Sequence, residues 1–113
     1  MRRRRDFELA VRRGRRAGRP LLVGHLGRVD DGDETPRVGF VVSRAVGNAP
    51  TRNLVRRRLR HLAADRLVHL PPGARLVVRA NPPAARASFA QLGAEFDAVL
   101  DRLIETPSRS GTP

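Results

Sequence analysis

Two kinds of residue in this chain have the chemistry to act on other molecules: histidines with nearby acids, and arginines. Protein ribonucleases set two histidines, or a histidine and a carboxylate, about a scissile phosphate. The chain has His25, His61 and His69. His61 and Asp65 stand four residues apart, the spacing of one helix face. An isolated pair of this kind reads as an ordinary surface pair before it reads as a metal site. His25 falls in a strand pattern and His61 in a helix pattern, and the sequence leaves open whether they meet. Asp30, Asp31, Asp33 and Glu34 crowd one polar turn, which reads as a hydrated loop and not as a fixed magnesium cage. With no cysteine, the chain has no thiol nucleophile, disulfide, Cys-based zinc site or CxxC redox pair. The expectation is a protein without catalytic or metal-ligating residues of its own.

Arginine is the stronger signal. All 23 basic residues are arginine, against 11 acids, for a net charge of +12 over 113 residues. Residues 1–19 hold nine arginines against Asp6 and Glu8. Residues 44–66 hold seven against Asp65 alone. Clustered charge of one sign repels itself in a compact fold and makes sense when a polyanion neutralises it. The guanidinium fork grips two phosphate oxygens or stacks on a base. A membrane surface is a weaker fit, because interfacial helices set large apolar residues against the basic face.

The second basic block has helical spacing over residues 51–66. With Val55 at zero, Leu59 falls at about 40°, Leu62 at about −20° and Ala63 at about 80°. These form an apolar stripe. Arg56, Asn53, Arg60 and Arg57 fall between about 100° and about 200°, the face away from the core. Arg58 lies off to the other side and Arg52 close to the stripe. Like charges crowded this way weaken an isolated helix, and docked phosphates relieve that. Pro50 suits the helix start, and free N–H groups near Asn48 to Asn53 offer a further anion site.

The other elements must position this helix. Residues 4–16 read as a helix with Phe7 and Val11 on one face, punctuated by Gly14 and Gly18. Residues 20–29 read as a strand, and residues 30–36 as a polar turn. Residues 37–43, with Val38, Phe40 and Val42 alternating, read as a strand forming an antiparallel hairpin with residues 20–29. Residues 74–80 read as a third strand between two proline breaks. Ser88 reads as an N-cap with Gln91 completing a capping box. Phe89, Leu92, Phe96, Val99, Leu100 and Leu103 form the apolar stripe of a last helix. Residues 1–105 read as a single α+β domain and residues 106–113 as a disordered tail.

The segment Ser43-Arg-Ala-Val-Gly-Asn-Ala-Pro-Thr-Arg-Asn-Leu-Val-Arg-Arg-Arg-Leu-Arg60 resembles the signature of the bacterial ribonuclease P protein subunit. The matching positions are Gly47-Asn48, Arg52-Asn53, Arg56-Arg57 and Arg60. Asp6-Phe7, Val11 and Gly14 resemble the family's first helix, and residues 37–43 and 76–80 its flanking strands. Leu54 stands where the family usually has arginine, and Val11 and His25 where aromatics are common.

The resemblance implies a two-layer α/β sandwich with a small mixed sheet and three helices. Its strand–helix–strand crossover would be left-handed, as in the ribosomal protein S5 domain 2-like fold. Topology rules alone favour a right-handed one. The implied activity is removal of the 5′ leader of precursor tRNA by a magnesium-dependent RNA subunit. Arg44, Asn48, Arg52, Asn53, Arg56, Arg57 and Arg60 would bind that RNA. Phe7, Val11, Arg12, His25 and Phe40 would line the leader cleft, although Phe40 suits the core equally. The implied partners are the RNA subunit and precursor tRNA, with no membrane and no obligatory protein partner.

A general RNA-binding or ribosome-assembly protein, a stand-alone nuclease and a major-groove DNA binder are the other readings of the same charge. The basic start at Met1 to Arg5 is followed by no apolar signal-peptide region, and no run approaches the roughly 20 apolar residues of a membrane span. The cytoplasm is therefore the expected compartment.

Overall fold

A computed structural model describes residues 14–29, 32 and 34–110, with the backbone alone from 105 to 110. Four strands form one sheet: β1 (Arg15–Gly18), β2 (Leu22–Arg28), β3 (Arg37–Val41) and β4 (Ala74–Ala80). Two helices, α1 (Ala49–Arg66) and α2 (Phe89–Ser110), pack on one face of it. Short 3₁₀ turns at Leu67–His69 and Pro82–Arg86 bracket β4.

The sheet order is β1-β2-β4-β3. β2 pairs antiparallel with β1 and β4, and β3 pairs parallel with β4. The expected hairpin between residues 20–29 and 37–43 does not form, because β4 lies between the two strands. β4 is buried at every position except Arg79, which suits a central strand. The loop after β2 is tied to the start of β4: Val29 N–H donates to the Gly73 carbonyl, Gly73 N–H to Glu34, and Arg75 Nη1 to Thr35. Gly73 sits at φ +75°, and a Cβ there would stand 2.6 Å from the Val29 carbonyl oxygen. These bonds carry the chain past β4 to the far edge.

β1 begins at Arg15, within the span read as a helix to residue 16. Its sequence, Arg-Arg-Ala-Gly, has no β-branched residue. Its strand character comes from the ladder with β2 and from Ala17, which is buried in the core. Residues 4–13 of that helix reading lie outside the described residues.

Period-two alternation divides the sheet into two faces. Leu22, Leu26, Leu76, Val78 and Ala80 face the helices and join Val55, Leu59, Leu62, Leu92, Phe96, Val99 and Leu103 in the core. Gly24 is on the same face, where a Cβ would stand 2.4 Å from Val99 Cγ1, so α2 lies directly on the β2 backbone. Glu95 of α2 holds the β1–β2 turn, accepting from Arg19 Nε and from Leu21 N–H at 2.9 Å each. The expected capping box forms at Ser88 and Gln91, each side chain accepting from the other's backbone N–H. α2 continues to Ser110, five residues into the stretch read as a tail.

Candidate nucleic-acid interface

α1 buries Val55, Leu59, Leu62 and Ala63, the four residues of the expected stripe. Burying that stripe fixes the opposite face in solvent. Asn53, Arg57 and Arg60 are exposed there, and Arg56 is half-buried with Nη1 3.4 Å from Asn53 Oδ1. Arg44 is exposed in the turn before the helix. The helix has no acid before Asp65, so no carboxylate of its own neutralises this face over its first four turns. Such a basic face without an internal counter-ion has the charge needed to bind phosphates.

One expected RNA-binding residue has a structural duty and another is partly enclosed. Asn48 caps α1, its Oδ1 accepting from Thr51 N–H at 3.0 Å, so one of the free N–H groups of the helix start is already satisfied. Arg52 is half-buried beside the stripe, with Nε enclosed by the protein. Two further arginines of α1 serve the fold. Arg58 Nη1 donates to the Ala87 carbonyl at 2.9 Å. Arg66 grips Asp97 of α2 through Nε and Nη2 at 2.6 and 3.2 Å, and lies 5.9 Å from the Phe96 ring centroid. The Arg66 hydrogen bond holds the Asp97 carboxyl below the usual carboxylate range.

The other face of the sheet has a second group of basic residues. His25 pairs across β1 with Arg16 and across β4 with Val77, and Arg79 stands opposite Val23, two residues from His25 on the same face. Burial, then Arg16, then Arg79 push the His25 pKa below its ordinary 6.5. Gly27 and Gly39 fall on this face beside Arg75 and Val77, both of which are buried. Arg16 and Arg79 were missed as site residues in the sequence. Their signal is the register with His25, which is not local.

The expected cleft residues divide. His25 is on this face. Phe40 pairs with Val78 and packs against the core on the opposite face, so it does not meet His25. Phe7, Val11 and Arg12 lie outside the described residues. His25 and His61 also fall on opposite sides of the sheet, and the His61 ring packs against Phe89. Among the described residues, no three His, Asp or Glu side chains are grouped so as to hold a metal ion.

A family model for ribonuclease P matches residues 1–104. The ribonuclease P protein component of Streptomyces griseus is 60% identical over 112 residues, covering 92% of this chain and 90% of that protein. That of Acidothermus cellulolyticus is 50% identical over 112 residues, covering 99% and 93%. Among solved structures, the RNase P protein of Thermotoga maritima aligns with a TM-score of 0.78 at 26% identity, covering 90% of this chain and 97% of that one. The Staphylococcus aureus RNase P protein shares the fold at a TM-score of 0.79 and 23% identity, covering 89% and 91%. With the signature residues on α1, the matching architecture and relatives alike over nearly their whole length, the chain belongs to the ribonuclease P protein family.

Proposed function

We propose that this chain is the protein subunit of ribonuclease P, a tRNA-processing endoribonuclease whose catalytic centre lies in a separate RNA. The observation that carries this reading is the α1 surface, where Asn53, Arg56, Arg57 and Arg60 stand opposite a fully packed apolar stripe. That surface binds phosphates of the RNA subunit, with Arg44 extending it. The sheet face of Arg16, His25 and Arg79 takes the single-stranded 5′ leader of precursor tRNA. Phe40 is left out of the leader groove because it packs on the other side. In this reading Phe7, Val11 and Arg12, which lie outside the described residues, also contact the leader. The β3–α1–β4 crossover has the left-handed sense of the ribosomal protein S5 domain 2-like fold.

Magnesium accompanies the RNA and its substrate. The protein contributes charge and position. Added positive charge beside the leader favours precursor over product, because the product lacks the leader. It also lowers the magnesium needed to hold two polyanions together. The proposed compartment for this work on RNA is the cytoplasm. No helix of the described residues is long and apolar enough to cross a membrane.

The test is cleavage of a precursor tRNA at low magnesium with the protein alone, the RNA subunit alone and the two together. Cleavage only in the mixture is expected. Cleavage by the protein alone would overturn the assignment of catalysis to the RNA.

The leader groove has its own test. Burial and two arginines lower the His25 pKa in the free protein, and the negative charge of an arriving phosphate favours the protonated ring. Its pKa is then higher in the complex than in the free protein. Affinity for precursor tRNA is expected to rise as the pH falls towards and below 6.5, by about tenfold for each unit between the two values. His25→Gln removes this dependence, and mature tRNA lacks it. Equal pH profiles for precursor and mature tRNA would move the leader away from His25.

A further inference from the structure

The last helix has one residue out of place. Phe89 is three residues before Leu92 and seven before Phe96, on the stripe that faces the core. Leu92 and Phe96 are at most 1% exposed, whereas Phe89 is 43% exposed. A surface phenylalanine in a chain with only four aromatic residues is not explained by core packing.

Its surroundings are specific. The Phe89 ring meets the His61 ring at 5.9 Å between centroids and 81° between planes. In this edge-to-face arrangement at least one face of the Phe89 ring is left uncovered by His61. The Ser88–Gln91 capping box immobilises the backbone beside it. Leu54, Arg57, Arg58 and His61 follow i, i+3, i+4, i+7 spacing on α1, so they share one side of that helix. Arg58 reaches across from that side to the Ala87 carbonyl, two residues before Phe89. Arg57 is exposed on this side, and Arg86 is exposed three residues before Phe89. Asp65, one turn beyond His61, is the acid of this side of α1. The result is a braced aromatic surface at the margin of the arginine face, where the net charge is positive.

We propose that Phe89, braced by His61, is a stacking platform for an unpaired nucleobase of the RNA subunit lying along α1. Every base has a π-face, and a fixed aromatic ring next to guanidinium groups recognises one without reading its sequence. A double helix hides its bases, so the platform selects a loop, bulge or strand end at this place. Arginines hold phosphates at many registers along the face, and a stacked base selects one of them. This inference rests on the reading of α1 as the surface for the RNA subunit.

The experiment uses the full chain and a transcript of the RNA subunit. Phe89→Ala is expected to weaken binding about tenfold and to leave the salt slope unchanged, because every phosphate keeps its arginine. Phe89→Leu keeps the apolar bulk and should weaken binding as much. Wild-type affinity for Phe89→Leu would show a packing role and overturn the proposal. The chain has no tryptophan, so Phe89→Trp introduces a single fluorophore at the platform. Its emission is expected to be quenched on saturation with the RNA subunit. Unchanged emission at saturation, or quenching by precursor tRNA and not by the RNA subunit, would overturn the proposal. If Arg56→Ala and Arg60→Ala also bind like the wild type, the reading of α1 fails with it. If those two lose affinity while the Phe89 variants do not, only the platform fails.

Discussion

Replacing Arg56 and Arg60 together by alanine is expected to weaken binding to the RNA subunit by on the order of 100-fold at moderate salt, since a hydrogen bond to a charged group contributes about 1.5–3 kcal/mol. Both residues are on the solvent face of α1, one turn apart, and the Arg56 hydrogen bond stays within the helix, to Asn53. The slope of log affinity against log salt should fall by about 0.7–0.9 for each phosphate left without its arginine, so by roughly 1.4–1.8 for the pair. The contrast is Arg58→Ala. Arg58 belongs to the same basic run but donates to the Ala87 carbonyl, so its removal should lower stability and leave the slope nearly unchanged. A double variant with the wild-type slope would place the RNA on another surface. Circular dichroism of the free protein separates a weakened interface from a disrupted fold.

Phe96→Ala should be the most damaging single change to the fold, costing about 3–5 kcal/mol. Phe96 is 1% exposed and packs from the middle of α2 into the shared core. It also backs the Arg66 guanidinium, which ties α1 to α2 through Asp97. A domain of this size is stable by only about 5–15 kcal/mol, so the variant should be partly unfolded near 37 °C. Because α2 covers β2, and Glu95 holds the β1–β2 turn, its loosening also disturbs the face that presents His25. Urea unfolding followed by far-ultraviolet circular dichroism measures the destabilisation. A change under 1 kcal/mol would mean that α2 is not the cover of the sheet. Phe89→Ala is the internal control, since a half-exposed ring seven residues earlier should cost far less.

The two described helices and the Ser88–Gln91 cap were readable from sequence because their causes are local. A 3.6-residue period is set within one element, so Val55, Leu59, Leu62 and Ala63 declared the buried side of α1, and its arginine face followed. The Ser88–Gln91 box spans four residues and needs no other part of the chain. β4 was legible as a short apolar run between prolines. The motif on α1, and with it the family, came from the same local stretch.

What only the tertiary structure decided was partnership. A period of two says that neighbouring side chains point to opposite faces. It does not say which face is covered or which strand lies alongside. β3 therefore looked like a hairpin partner of β2, although β4 stands between them. Phe40 suited cleft and core equally until its pairing with Val78 put it on the helix side. β1 has no strand-forming residues and exists because β2 offers it a ladder. Arg16 and Arg79 became neighbours of His25 through two registers, and Phe89 met His61 of another helix. Chemistry, charge and helix faces are properties of short segments, whereas the grouping of residues into sites depends on contacts between segments far apart in the chain.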